Sequence, residues 1–296
     1  MSKKKNKKKV SLFSLLIIIC LMLTGYVQSN LTSTNGTTPP PLSNSSNMQV
    51  HYIDVGQADS ILINSNGHFM LIDAGNNDDD KLVVSYLQSQ GVEKLDYIIA
   101  THPHEDHIGG MDTVVDTFDI GNVIMPNIET TTKTYESFID SLINKNVTAI
   151  EPKPGNTYEL GESIFTIISP NNEYEKDLNN WSVGIKLEHG ENSFIFTGDA
   201  EKASETDILN NNIDISADVL KLGHHGSSTS NTEEFLKAIK PKYAVICVGE
   251  NNKYGHPHKE TIEKLNKLNI EVYRTDKNGT VVATSDGKNI SWTTER

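Results

Sequence analysis

The distribution of histidine is the feature that most limits how this chain can fold. Seven of its ten histidines fall in three short groups, and each group follows an apolar stretch. The groups are His102, His104 and His107; His224 and His225; and His256 and His258. Imidazole is a common ligand of transition metals, and scattered structural histidines do not cluster in this way. We therefore expect a fold that brings several distant segments together around metal ions.

The densest group lies directly after Leu95 to Ala100, a short apolar run typical of a strand buried on both faces. In a loop, His102 and His104 can point to one side and hold one cation. Asp106 and His107, displaced by about half a turn, can serve a neighbouring cation. The run therefore predicts a two-metal site.

Three further segments end an apolar strand with metal-binding side chains. Phe196 to Ala200 places Asp199 beside a glycine, where its carboxylate can bridge two cations. Leu222 to Ser228 and Tyr254 to His258 deliver histidines in the same manner. Four such strands predict an active site at one edge of a sheet sandwich.

The remaining pattern predicts an α/β fold in which helices cover two mixed sheets. Strands are expected at residues 48–55, 60–64, 68–72, 95–100, 123–125, 163–168, 183–188, 193–197, 219–222, 243–248 and 272–274, and helices at 81–90, 108–118, 133–145, 232–239 and 259–268. The histidine run is then expected in a strand-to-helix loop.

The N-terminal part of the chain has a different composition from the rest. Residues 1–9 contain six lysines and residues 10–23 are almost entirely apolar, which predicts a signal peptide or signal-anchor over residues 1–30. Residues 31–47 are rich in Ser, Thr, Asn and Pro and predict a low-complexity linker. The folded domain is expected at 48–296, exported and either secreted or anchored on the outer face of the cytoplasmic membrane. Membrane contact is expected only through the N-terminal segment.

Charge limits the partners of this domain. Removing the six N-terminal lysines leaves 20 basic against 39 acidic side chains, a net charge of about −19. Long nucleic acids normally bind along a basic track, and the sequence shows none. The acidic domain therefore argues against a long polyanion as its partner.

Several motifs resemble those of a known family. Thr101 to Gly110 (THPHEDHIGG) resembles the H-x-H-x-D-H signature of the metallo-β-lactamase fold. The other motifs resemble the hydrolase domain at the end of ComEC competence proteins; they are IDVGQADSI (53–61), LIDAG (71–75), FTGDAE (196–201), DVLKLGHHGSSTS (218–230) and YGHPH (254–258). The resemblance implies a metallo-β-lactamase αββα sandwich, with two mixed β-sheets flanked by helices.

The resemblance also implies a set of ligands for two divalent ions, zinc or manganese. His102 and His104 would bind the first metal, Asp106 and His107 the second, and Asp199 would bridge them. The last ligand of the second metal would be His224, His225 or His256, of which His225 is favoured. Family members usually place a further histidine where this chain has Asn180, which leaves the first metal more open.

Catalytic and substrate-binding roles are expected for residues around these ligands. Asp106 would orient a metal-activated water, while His224, Ser227 and His256 would bind the developing negative charge or protonate the leaving oxygen. Asn180 and Ser227 are the candidate substrate-binding residues, although Ser227 is equally typical of a turn-forming hydroxyl.

The favoured function is hydrolysis of a phosphoester outside the cell, of the phosphodiesterase or nuclease-like kind. Its substrate would be wall-bound, such as phosphocholine on teichoic acid, or a nucleotide. One alternative is a lactone or β-lactam hydrolase of the same fold, which the substitution at Asn180 disfavours. Another is a non-catalytic module that binds cell-wall polymer, which would have no need of an activated water.

Overall fold

Two mixed β-sheets form the centre of the computed structural model, which describes residues 47–175 and 177–296. Their strands are β1 Met48–Tyr52, β2 Ser60–Ser65, β3 His68–Ala74, β4 Lys94–Ile99, β5 Asp119–Ile124, β6 Ala149–Ile150, β7 Thr157–Leu160, β8 Ser163–Ser169, β9 Gly184–His189, β10 Asn192–Phe196, β11 Val219–Lys221, β12 Tyr243–Ile246, β13 Glu271–Arg274, β14 Val281–Ser285 and β15 Ile290–Thr294. The α-helices are α1 Asp80–Ser89, α2 Glu105–Ile108, α3 Met111–Thr117, α4 Lys133–Asn144, α5 Lys202–Asn210, α6 Glu233–Ile239, α7 Lys259–Lys267 and α8 Thr275–Asn278.

Each sheet has an antiparallel half and a parallel half. The eight-stranded sheet has the order β15-β14-β1-β2-β3-β4-β5-β6, and its strands become parallel from β3 onward. The seven-stranded sheet has the order β13-β12-β11-β10-β9-β8-β7 and is parallel from β10 to β13. Parallel strands end at the same edge of a sheet, so the segments after β4, β10, β11 and β12 can meet there.

The core explains why the central strands are apolar on both faces. In β10, Phe194 and Phe196 belong to the cluster between the two sheets, while Ile195 faces the cluster beneath the outer helices. Side chains alternate along a strand, so such a strand buries both faces. In α6, Phe235, Leu236 and Ile239 share one helical face and pack into the outer cluster. Two sheets with helices outside them confirm the predicted αββα sandwich.

The histidine run differs from its predicted setting. Residues 105–108 form the short helix α2, and the helix expected at 108–118 begins only at Met111. Gly109 and Gly110 separate the two helices because the loop after β3 crosses them closely. A Cβ atom on Gly109 would come 2.1 Å from the Asn76 carbonyl carbon, so only glycine fits.

Other elements were not predicted from the sequence. The strands β7 and β15 and the helix α5 have mixed polar sequences with mostly exposed or partly exposed side chains, whereas the strand β14 alternates buried and partly buried residues. Strand β14 pairs with β1 and thereby extends the opening antiparallel strands into a larger sheet. Such pairing over more than 200 residues of sequence leaves no local signal.

The predicted export signal at 1–30 and the linker at 31–47 lie outside the described residues, apart from Asn47. Within residues 47–175 and 177–296, no helix has both the length and the apolar character needed to cross a membrane.

Candidate active site

A cavity of about 650 Å³ opens at the edge where the parallel strands end. Six of the predicted site residues line it, and they come from four separate segments of the chain: His104, Asp106, Asp199, His224, His225 and His256. The fold therefore brings together side chains that lie up to 152 positions apart in the sequence, from 104 to 256.

His102 and His104 form the first group of donor atoms in this cavity. The Nε2 atom of His102 lies 2.9 Å from Nδ1 of His104, so both nitrogens face the same small volume. Nδ1 of His102 lies 3.1 Å from the Thr101 hydroxyl and 3.3 Å from the Ser182 hydroxyl, which fix the ring. Burial and the neighbouring His107 keep the pKa of His102 well below its ordinary value, so the ring is neutral. A neutral imidazole is the form that binds metal ions.

The second group consists of Asp106, His107, Asp199 and His225. Each offers one donor atom, and these atoms lie within 4.8 Å of one another. Nε2 of His107 is 3.3 Å from Asp199 Oδ2, and Nε2 of His225 is 3.4 Å from Asp106 Oδ2. Among the described residues, the buried atoms His107 Nε2, His225 Nε2 and Asp199 Oδ1 have no hydrogen-bond partner.

These unpartnered atoms test whether the site suits a metal. A buried polar atom without a partner costs about 1–3 kcal/mol, so three of them facing one another are unfavourable unless something binds there. Imidazole nitrogens and carboxylate oxygens at this spacing are suitable ligands for a divalent transition metal. The residues present therefore fit the metal ions that the sequence predicts.

Asp73 supports both groups and was given no role by the sequence analysis. Its buried carboxylate accepts hydrogen bonds from the Thr101 amide at 2.8 Å and the Thr101 hydroxyl at 2.7 Å, and lies 2.7 Å from His107 Nδ1. Because Nδ1 of His107 is occupied, Nε2 is presented to the second group. Because the Thr101 hydroxyl donates to Asp73, its oxygen can accept from His102. Asp73 lies in the LIDAG motif (71–75) at the end of a strand, and neither feature indicates which residues it contacts.

The backbone after β11 directs its two histidines to different places. His224 and His225 both have positive φ values, 50° and 51°, in the left-handed region. Nδ1 of His225 lies 2.9 Å from the Cys247 carbonyl, which leaves Nε2 free to face the second group. His224 is about a quarter exposed and lines the cavity wall, as does His256. Of the three alternatives for the last ligand, the geometry favours His225.

The electrostatics of the second group show that its acids are ionised. Burial alone would raise the pKa of Asp199, but His107 and His225 hold it well below its ordinary value. Burial alone would lower the pKa of His225, but Asp199 and Asp59 raise it to about 10. The carboxylates therefore require positive charge beside them, which protons or bound cations can supply.

Asn180, which the sequence predicts on the substrate side, is not among the residues that line the cavity. Its side chain is buried, donates to Asp177 at 2.6 Å, and accepts from the amides of Glu201 and Ser204 at 3.1 and 3.0 Å. The neighbouring Asn179 lines the cavity instead. The offset arises because residues 178–181 form a 3₁₀ helix, which turns successive side chains in different directions.

Replacing Asn180 with alanine is expected to lower the free energy of unfolding by about 2–3 kcal/mol, because two backbone amides lose their acceptor. Asn179→Ala, the matched control, removes a side chain of the same size from the cavity wall and is expected to cost less than about 1 kcal/mol. Urea denaturation of both variants measures the difference. An unfolding free energy unchanged in Asn180→Ala, together with a raised KM, would restore the position predicted from the sequence.

Ser227 lies in the turn after β11 and His258 contacts that turn, and neither is among the residues that line the cavity. The buried Ser227 hydroxyl lies 3.0 Å from the Thr229 hydroxyl and accepts from the Thr229 amide at 3.3 Å, so it forms the turn. This geometry matches the turn-forming alternative, and the substrate contact of Ser227 stays a prediction. Nδ1 of His258 accepts from the Ser228 amide at 2.9 Å, which joins the third histidine group to the same turn.

An αββα sandwich that carries paired histidine and aspartate groups at one edge defines a class of metal-binding hydrolase folds. The chain belongs to the metallo-beta-lactamase superfamily, whose sequence pattern matches residues 53–250. The resemblance stated from the motifs is therefore confirmed.

Curated relatives place the chain among proteins related to competence. It is 33% identical to ComE operon protein 3 of Bacillus subtilis strain 168, over 80% of this chain and 33% of that protein. It is 31% identical to Recombination protein 2 of Haemophilus influenzae, over 79% of this chain and 28% of that protein. The chain thus spans about a third of the length of these relatives.

A solved structure supports the fold. The metallo-beta-lactamase fold protein YhfI from Bacillus subtilis matches with a TM-score of 0.55 and 15% sequence identity, over 81% of this chain and 99% of that chain. At this identity the likeness concerns the fold alone.

Proposed function

We propose that this chain is an exported hydrolase that cleaves a phosphoester with the help of two divalent cations, zinc or manganese. The observation that carries the proposal is the convergence of two groups of donor atoms in one open cavity. His102 and His104 form one group, and Asp106, His107, Asp199 and His225 form the other.

The two groups would hold one cation each, with the Asp199 carboxylate shared between them. Bound divalent cations supply two things to such a reaction: they lower the pKa of water, and they offset negative charge on phosphoryl oxygens. His102, His107 and His225 each present Nε2 because a hydroxyl, a carboxylate or a carbonyl occupies Nδ1. The protein therefore fixes its ligands before any cation binds.

Other residues would act on the water and the substrate. The Asp106 side chain is 30% exposed, whereas those of His107, Asp199 and His225 are nearly fully buried. Its carboxylate can therefore both serve the second cation and accept a hydrogen bond from an attacking water. His224 and His256 stand on the cavity wall, where they can hydrogen-bond the charge that develops on phosphoryl or leaving oxygens.

The cavity favours a small substrate over a long polyanion. Among the lining residues that the structure describes, Lys253 alone carries a permanent positive charge, and Glu105 adds a further acid. With a domain net charge of about −19, this surface offers no continuous path for a nucleic-acid backbone. A nucleotide, or a phosphoester on a wall polymer, needs only the cavity itself. Export through residues 1–30 would bring the domain to either substrate outside the membrane, secreted or anchored on its outer face.

The purified protein is expected to hydrolyse bis-p-nitrophenyl phosphate after loading with zinc or manganese. A chelator should abolish this turnover and added metal should restore it, because the proposed reaction depends on the bound cations to activate water. Nitrocefin and an acyl-homoserine lactone, assayed in parallel, test the alternative hydrolase functions of this fold. Turnover of either one without turnover of the phosphodiester would overturn the proposal and support a lactone or β-lactam hydrolase. Metal binding without any turnover would support a non-catalytic module that binds wall polymer.

A further inference from the structure

A buried ion pair lies directly beneath the second group of donor atoms. Lys221 ends β11 in the seven-stranded sheet, and Asp59 precedes β2 in the eight-stranded sheet. Both are 1% exposed, and the Lys221 ammonium donates to the Asp59 carboxylate. The pair therefore ties the two sheets together in the interior. Lysine is rarely buried to this extent unless its charge is matched.

Asp59 touches two of the residues in that group. Its Oδ1 atom lies 3.4 Å from Nδ1 of His225, on the side of the ring opposite the donor atom Nε2. Its backbone amide donates to the Asp106 carbonyl at 3.0 Å. Asp59 thus contacts one residue of the group through its side chain and another through its backbone.

The Asp59 carboxylate is held in place by its partner. The Lys221 ammonium donates to it, and both side chains are buried. The Nδ1–H of His225 donates to the Cys247 carbonyl at 2.9 Å, and the Asp59 carboxylate lies beside the same nitrogen at 3.4 Å without a hydrogen bond to it. A negative charge at this place helps to orient a ligating ring and strengthens its other nitrogen as a donor. Lys221 keeps this carboxylate charged and in place, and it stands only four residues before His225 on the same strand and loop.

The first group of donor atoms is held by different partners. His102 is fixed by Thr101 and Ser182, at 3.1 and 3.3 Å, and Thr101 in turn donates to Asp73. Asp73 is thus a support that the two cation positions share, whereas within residues 47–175 and 177–296 no hydrogen bond or ion pair joins Lys221 or Asp59 to His102 or His104.

We propose that Lys221 and Asp59 are positioning residues that set the affinity of the second cation position, formed by Asp106, His107, Asp199 and His225. They would do so without setting the affinity of the position formed by His102 and His104. This inference rests on the proposed two-cation function.

The test compares zinc binding by the full wild-type chain and by the double variant Lys221→Met with Asp59→Asn. The double variant removes both charges and nearly preserves volume, so it avoids the uncompensated buried charge that either single change would leave. Competition with a chromophoric chelator gives the two dissociation constants. We expect the binding step of the four-ligand position to weaken by about 10-fold to 100-fold and the other step to change by less than about threefold. Visible spectra of the cobalt-loaded proteins should show the loss at one cobalt position only.

A matched control uses another lysine–aspartate pair, which has its lysine on the same seven-stranded sheet and does not line the cavity. Lys186 on β9 donates to Asp214 at 3.0 Å and is 6% exposed. The variant Lys186→Met with Asp214→Asn should retain both zinc constants, because neither residue contacts a ligating side chain. Circular dichroism confirms that each variant is folded.

The outcomes separate the inference from the function on which it rests. Two unchanged constants in the folded double variant overturn the inference, because the pair would then only stabilise the sandwich. Equal weakening of both constants overturns it as well, since the pair would act on the whole site. A wild-type chain that binds fewer than two zinc ions overturns the proposed function itself.

Discussion

Changing Asp106 to asparagine is expected to lower kcat/KM for bis-p-nitrophenyl phosphate by a factor on the order of 10³, equivalent to several kcal/mol of transition-state stabilisation. The reason is that this carboxylate both belongs to the second group of donor atoms and faces the cavity. It lies 3.4 Å from His225 in the second group, and it is the most exposed side chain of that group. Asparagine keeps the size of the side chain but removes its charge, so both the cation and the attacking water lose an anionic partner.

The same variant separates a hydrolase from a binding module. A module that only binds wall polymer should keep its affinity for the polymer in Asp106→Asn, whereas a hydrolase loses turnover while still folded. Asp116→Asn, an exposed acid on the neighbouring helix α3, is the matched control and should retain wild-type kinetics. Steady-state kinetics with each metal measure the turnover of both variants, and thermal unfolding shows whether they are folded. Full turnover in Asp106→Asn would contradict the place given to this residue.

The sequence predicted the central architecture because its signals are local. The buried strands β4, β10, β11 and β12 are short apolar runs, and each is followed by histidine or aspartate. Parallel strands deliver such residues to one edge, so the cavity could be expected before the sheets were known. The C-terminal strands β14 and β15 could not, because β14 pairs with β1 and β15 with β14, which depends on contacts between the two ends of the domain.

The metal-binding side chains could be predicted because they lie in dense motifs. The residues that hold those side chains in place could not. The structure brings His102, His104, Asp106, His107, Asp199 and His225 together as the motifs suggested. Asp73, Asp59 and Lys221 support them through buried hydrogen bonds and charges. All three lie inside motifs that carry the resemblance, but the motifs do not indicate what these side chains contact. The sequence also could not show that Asn179, and not Asn180, lines the cavity, because the direction of a side chain within a 3₁₀ turn is set by the fold.

Asp73 is the supporting residue whose loss should have the largest effect on stability. Its carboxylate is fully buried and joins both groups of donor atoms, directly through His107 and indirectly through Thr101 and His102. The residue also has a φ of 56°, which favours Asp or Asn over other side chains. Its place at the end of β3 therefore combines a backbone requirement with a buried hydrogen-bonding role.

Replacing Asp73 with alanine should lower the free energy of unfolding by about 3–5 kcal/mol, because the Thr101 amide, the Thr101 hydroxyl and His107 Nδ1 all lose their acceptor. Asp73→Asn tolerates the same backbone conformation and keeps one acceptor oxygen, so its cost should be about 1–2 kcal/mol. Asp78→Ala, at an exposed acid five residues away, should change stability by less than about 0.5 kcal/mol. Urea denaturation in the presence of chelator gives these values without a contribution from bound metal.

Since His102 and His107 belong to different groups, Asp73→Asn should weaken zinc binding at both positions, unlike the Lys221–Asp59 double variant. Weakening of only one constant would show that the link through Thr101 does not transmit the position of His102.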